Sequence, residues 1–306
     1  MKTSNSDFTV DFLLIGFPKT GTTALASCLA QHPDVCFSAM KEPFYHCTDL
    51  PGRRVITHET AYQKQFQPDH PHQLRGEATA CYIYSPAALK RIHSRYPQAK
   101  IIIMLRNPLE LIPSLHANQV RVFDESLTDL ADAWHAQAER KAGKNIPKRC
   151  REPKFLDYAT MAKQAHHIQQ VIKYLPSHAL LYHFLDDWKA NPQDVFNRTC
   201  QFLGISTLPL PPQQRNSALS YTNQKHQTLA SMIRLITQNP TLLRWKTNVG
   251  IPDLKTETWM RKKLMQEVKT PPQLSEALQS EIWNELKADV QQLEQLTQRS
   301  LTHWQP

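Results

Sequence analysis

Eight residues near the start of the chain, Gly16-Phe17-Pro18-Lys19-Thr20-Gly21-Thr22-Thr23, have the composition of an anion-binding turn. An apolar run, Phe12-Leu13-Leu14-Ile15, precedes them and a stretch with helical spacing follows. A turn so placed sets the unpaired N–H groups of a helix start, at the positive end of its dipole, against a ligand. Gly21 permits close backbone approach, and the Thr22 and Thr23 hydroxyls add hydrogen bonds. Gly16 and Gly21 have the glycine spacing of the nucleotide-hydrolysing motif G-x-x-x-x-G-K-[ST]. Thr22 stands where that motif has its lysine, and the lysine is displaced to Lys19. From the loop side an ammonium can offset charge on a departing oxygen. An ordinary strand–helix turn with a solvated lysine is the other reading of this loop alone.

A second anion position follows the strongest strand signal, Lys100–Leu105, at Leu105-Arg106-Asn107-Pro108. Arg106 falls at a strand's C-terminal edge, where open α/β sheets bind ligands, and a guanidinium there can grip a phosphate with two donors. Ser114 lies about two turns into the next helix, on a face that can turn to the same anion. Alternatively, Arg106 pairs with a helix carboxylate and Ser114 packs. Together the two positions suit a nucleotide with phosphates at both ends of its ribose. The dinucleotide fingerprint G-x-G-x-x-G is absent.

Holding these residues requires strands and helices in alternation. The patterns predict strands at 12–15, 35–37, 74–77, 100–105 and 179–185. They predict helices at 22–31, 86–96, 108–121, 127–141, 159–174, 192–203 (closed by Gly204) and 275–298. Residues 48–73 read as mostly irregular with at most one helix, 205–224 as a long loop, and the part from about 225 as helical. The expected fold is α/β, a central parallel sheet flanked by helices in three layers, as one domain over 1–306.

The net charge of +9 suggests an anionic partner. No run approaches the ~20 apolar residues of a membrane span, and residues 1–11 lack an apolar signal core. The six cysteines are scattered without a C-x-x-C pair, which predicts reduced thiols and a cytoplasmic protein. His70, His72, His166 and His167 read as surface histidines rather than metal ligands. A P-loop nucleotide kinase and a basic nucleic-acid-binding protein are the competing classes. The first lacks its lysine after Gly21, and the second shows only dispersed aromatics and no recognised motif.

PKTGTTAL at 18–25 resembles the 5′-phosphosulfate loop of the sulfotransferases that use 3′-phosphoadenosine 5′-phosphosulfate (PAPS). LRNPLELIPSLH at 105–116 resembles their 3′-phosphate motif. Segments 31–46, 76–86, 146–158, 184–192 and 300–304 are also similar, the last three to bacterial members, so the likeness covers nearly the whole chain. It implies a P-loop-like fold and sulfuryl transfer from PAPS, as cosubstrate without a metal, to a hydroxyl or amine of a glycan, lipid or small molecule. Nucleic acid is not an expected partner, and oligomeric state is not legible.

The resemblance implies that Lys19 binds the phosphosulfate, that Thr20, Gly21, Thr22 and Thr23 cradle the 5′-phosphate, and that Arg106 and Ser114 bind the 3′-phosphate. Glu42 matches the general base of the heparan-sulfate-like branch, with His46 next in line. Lys225 is the candidate for a loop over the nucleotide. Glu77 is expected to orient Lys19 or the acceptor, or to form a salt bridge. Asp186 and Asp187 are read as caps or supports. Lys141, Lys144, Lys148, Arg149, Arg151 and Lys154 form either a guide for an acidic acceptor or a solvated surface. Ala80 stands where many relatives have proline, and Ala78 where heparan-sulfate enzymes have lysine, so heparan-type acceptor contacts do not carry over directly.

Overall fold

A computed structural model of the chain describes residues 8–212, 219–221, 265–267 and 274–306. Five short strands, β1 (Phe12–Gly16), β2 (Val35–Phe37), β3 (Leu74–Ala78), β4 (Lys100–Leu105) and β5 (Leu180–Phe184), form one parallel sheet in the order β2-β3-β1-β4-β5. Period-two alternation splits their side chains between two cores. Phe12 and Leu14 of β1, with Ile102 and Met104 of β4, pack under helices α1 (Thr22–Leu29) and α10 (Pro192–Leu203). Leu13, Ile15, Ile101, Ile103 and Leu105 face the opposite way. There they meet α3 (Pro86–Arg95), α4 (Pro108–Arg121), α8 (Gln164–Tyr174) and the C-terminal α11 (Glu276–Thr297). Both faces are therefore covered, and the three-layer expectation is met.

Local chemistry sets most boundaries. Pro108 opens α4 as its first residue, with the Asn107 side chain accepting from the Leu109 N–H (2.9 Å). Gly204, at φ 79°, closes α10. The remaining helices are α2 (Glu59–Gln63), α5 (Leu130–His135), α6 (Gln137–Lys141), α7 (Tyr158–Ala162) and α9 (Leu185–Ala190).

Three expectations are corrected. The helix expected over 127–141 is two, α5 and α6, because the Gln137 side chain donates to the Trp134 carbonyl (2.7 Å) and accepts from the Ala159 N–H (2.7 Å). The helix expected over 159–174 breaks at Lys163 (ψ 82°). Asp289 of α11 accepts from the Ala165 and His166 N–H groups, so α8 restarts on a cap supplied by another helix. Within the loop and helical regions expected after 205, Leu219–Tyr221 and Met265–Glu267 pair as two antiparallel strands, β6 and β7. Their pairing spans more than forty residues and leaves no local signal.

Candidate active site

The strand order creates a switch point. From β1 the chain crosses towards β2 and β3, whereas from β4 it continues outward to β5. The carboxyl ends of β1 and β4 thus flank the crevice where open parallel sheets bind ligands. The turn carrying Lys19 leaves one end and Arg106 leaves the other.

The first turn is built on tight backbone approach. A Cβ on Gly16 (φ 129°) would lie 2.9 Å from both the N and the O of Met104, so β1 and β4 close only on glycine here. Gly21, at φ 94°, is the N-cap of α1 and supplies no side chain, and no carboxylate occupies the first helical turn. Intrahelical bonding begins where the Ala24 N–H meets the Gly21 carbonyl (3.0 Å), leaving the earlier amides for a ligand. Thr20 is fully buried and donates its hydroxyl proton to the Phe17 carbonyl (2.6 Å), so that hydroxyl holds the shape of the turn. Thr22 is buried and Thr23 half-buried.

Arg106 closes the gap between the two loops. Its guanidinium donates to the Lys19 carbonyl (2.7 Å), while its Nε and a terminal nitrogen meet Glu110 at 3.2 and 3.1 Å. Lys189 also pairs with Glu110 (2.8 Å). The carboxylate pairing weighed for Arg106 is therefore present, and it coexists with the bridge to the Lys19 turn. Ser114 is half-buried two turns into α4.

The third arm is the loop after β2. The Glu42 N–H donates to the Ala78 carbonyl at the end of β3 (2.8 Å), and the Glu42 carboxylate accepts from Lys41 Nζ (2.8 Å). Lys19 keeps solvent contact. Surrounding protein nevertheless pushes its pKa below the ordinary lysine value, helped by the positive charges of Arg121, Arg106 and Lys41 and opposed by Glu42. Four cations and one carboxylate therefore share a single field. Lys19 (φ 73°) and Glu42 (φ 61°) are both held in the left-handed region, which non-glycine residues enter at a cost of about 1 kcal/mol or more.

Two expected roles are not supported. Glu77 is fully buried and neither orients Lys19 nor forms a described salt bridge. It accepts from the Thr79 hydroxyl (2.6 Å) and the Tyr62 hydroxyl. Burial raises its pKa, against the lowering effect of hydrogen bonds from Thr79, Tyr62 and Tyr82. His46 is fully buried among the rings of Tyr45, Tyr62, Tyr82 and Tyr96, with no hydrogen-bond partner on either ring nitrogen, so it is not poised to meet an acceptor. His167 is likewise no surface residue, since it packs on Tyr84 and bonds the Thr160 carbonyl (2.9 Å). Lys225 lies outside the described residues. Asp186 and Asp187 start α9 and anchor the chain end. Asp186 accepts from the Trp304 indole (2.7 Å), and Asp187 is gripped by both terminal nitrogens of Arg299.

Sequence reasoning missed Arg121, Lys41 and Gln164. Arg121 carried a usable signal, because it lies seven residues, about two helical turns, after Ser114. Gln164 carried none.

The profile of the sulfotransferase domain matches residues 9–280. The chain belongs to the sulfotransferase domain family. It is 29% identical over 228 residues to the bifunctional heparan sulfate N-deacetylase/N-sulfotransferase of Drosophila melanogaster, covering 68% of this chain and 21% of that protein. It is 28% identical over 223 residues to N-deacetylase/N-sulfotransferase 3 of Homo sapiens, covering 70% and 24%. The matches thus span less than a quarter of these relatives. A sulfotransferase structure from Alicyclobacillus acidocaldarius superposes with a TM-score of 0.70 at 21% identity, over 98% of this chain and 100% of that one. Family and fold bear out the resemblance read from the two motifs. Among its described residues no helix is long and apolar enough to cross a membrane, and no group of three or more His, Cys, Asp and Glu side chains is placed to hold a metal ion.

Proposed function

We propose that this chain transfers a sulfuryl group from PAPS to a hydroxyl or amine of an acceptor, releasing adenosine 3′,5′-bisphosphate. The observation that supports the reading is the bond from the Arg106 guanidinium to the Lys19 carbonyl, which joins the turn after β1 to the end of β4. In this reading the amides at the start of α1 and the Thr22 and Thr23 hydroxyls hold the 5′-phosphosulfate, and Arg106 and Ser114 hold the 3′-phosphate. The acceptor oxygen or nitrogen forms a bond to sulfur as the bond from sulfur to the bridging oxygen breaks. The electron pair stays on the 5′-phosphate, where Lys19 offsets the charge. Glu42 takes the acceptor proton, its carboxylate oriented by Lys41.

For the acceptor we propose a glycan or small molecule. The basic stretch borders the Glu42 loop, since Gly52 packs against the backbone of Arg151 and the Ile56 N–H bonds the Pro43 carbonyl (3.0 Å). Arg151 and Lys141 are already paired, with Asp124 and Asp157. All six cysteines are free, which supports a reducing, cytoplasmic setting.

Incubation with sulfur-labelled PAPS and an acceptor panel, followed as the mass gain of one sulfuryl group, tests the activity. Glu42→Gln should keep bisphosphate affinity within a few-fold and lose ~10²–10⁴ in turnover. Activity within a few-fold of the parent would remove Glu42 from the role of base. Greater thermal stabilisation by ATP–Mg²⁺ than by metal-free adenosine 3′,5′-bisphosphate would overturn the donor assignment in favour of a kinase.

A further inference from the structure

Gln164 is the first residue of α8, is 1% exposed, and directs both ends of its carboxamide at the main chain of Arg106. Its Oε1 accepts from the Arg106 N–H (3.1 Å), and its Nε2 donates to the Arg106 carbonyl (2.6 Å). We propose that Gln164 is a positioning residue for recognition of the donor's 3′-phosphate, acting through Arg106.

The β4–β5 ladder ends at the pair Leu105 and Phe184, so Arg106 is the first residue beyond it. A half-buried peptide unit without a strand neighbour needs a donor and an acceptor from elsewhere. The Gln164 carboxamide supplies both in the pattern of a one-residue strand. Gln164 is itself fixed, because Asp289 accepts from the Ala165 and His166 N–H groups (3.0 and 2.9 Å) and pins the first turn of α8. Bracing runs from α11 through α8 to the Arg106 backbone, and from there to a guanidinium aimed at the Lys19 turn (2.7 Å). A buried amide serving only to fill space would be costly to desolvate, and an apolar residue of equal size would serve better. Both polar ends of this one are used on the residue that meets the anion.

The inference rests on the reading of Arg106 as the 3′-phosphate ligand, and the test separates the two. Dissociation constants for adenosine 3′,5′-bisphosphate and for adenosine 5′-phosphate are measured calorimetrically on the full chain, as wild type, Arg106→Ala, Gln164→Leu and Gln164→Met. For Gln164→Leu the bisphosphate should weaken about ten- to one-hundred-fold, with the 5′-phosphate changed less than about three-fold. Gln164→Met keeps the length and approximate volume without adding a charge and loses both bonds, so its loss should match that of Gln164→Leu; it decides the question if Gln164→Leu does not fold. Equal losses for the two ligands, or none, would overturn the role of Gln164 provided that wild type prefers the bisphosphate and Arg106→Ala abolishes that preference. A wild-type protein with no such preference would overturn the Arg106 reading, and this proposal with it.

Discussion

Replacing Lys19 with glycine separates the electrostatic role of this residue from its backbone strain. Lys19 sits at φ 73°, and among the described residues no hydrogen bond or ion pair anchors its ammonium, although its carbonyl holds Arg106. Glycine keeps that carbonyl and enters the left-handed region freely, removing a penalty of about 1 kcal/mol. Part of the gain is offset by the greater chain entropy of glycine in the unfolded state, leaving a net gain of about 0.5 kcal/mol. Losing an ammonium crowded by Arg121, Arg106 and Lys41 adds to the same sign, screened by its solvent contact. In a chain of this size the midpoint of thermal unfolding should rise by about 1 °C. Turnover should move the other way. Loss of a group aimed at developing charge costs about 10²–10³ in rate. Scanning calorimetry without ligand and single-turnover transfer from labelled PAPS measure the two effects. A lower unfolding midpoint for Lys19→Gly would refute the strain argument. Turnover within about three-fold of wild type would refute the role at the leaving group.

Because the Lys19 pKa is held below its ordinary value, its charged fraction falls early as pH rises. A bound bisphosphate pushes that pKa back up, so binding on the alkaline side, below the ordinary lysine value, should take up protons. Calorimetry in buffers of different ionisation enthalpy reads the uptake, which should vanish in Lys19→Gly. Burial, with the charges of Arg91, Arg95 and Arg54, holds the His46 pKa well below 6.5 in the folded protein. Below the unfolded value the folded state therefore binds fewer protons. The His46 contribution is intact above about pH 6.5 and is lost as pH falls towards the folded pKa, at about 1.4 kcal/mol per pH unit. His46→Phe should remove one proton's worth of that acid slope, checked by unfolding midpoints between about pH 7.5 and pH 5. An unchanged slope would contradict it.

The sheet and the turns carrying Lys19 and Arg106 were legible because their signals are local. Lys100–Leu105 is apolar on both faces, Pro108 marks a helix start, and Gly16 and Gly21 bracket the turn. The helix breaks at Gln137 and Lys163 were not, because each depends on a partner distant in sequence: Ala159 for the first and Asp289 for the second. The same limit hid Gln164, whose type and position resemble any solvent-facing helix residue until the end of β4 is seen beside it. His46 misled for the opposite reason. It lies four residues from Glu42, yet the chain turns inward between them and buries the imidazole in a tyrosine cage. Arg106 satisfied both weighed readings at once, with Glu110 on one side and Lys19 on the other.

A crystal structure with adenosine 3′,5′-bisphosphate tests the central claim most directly. One nucleotide should span the crevice between β1 and β4, its 5′-phosphate on the amides after Lys19 and its 3′-phosphate on Arg106. A nucleotide bound elsewhere, or one whose 3′-phosphate leaves Arg106 engaged only by Glu110 and Lys19, would contradict it.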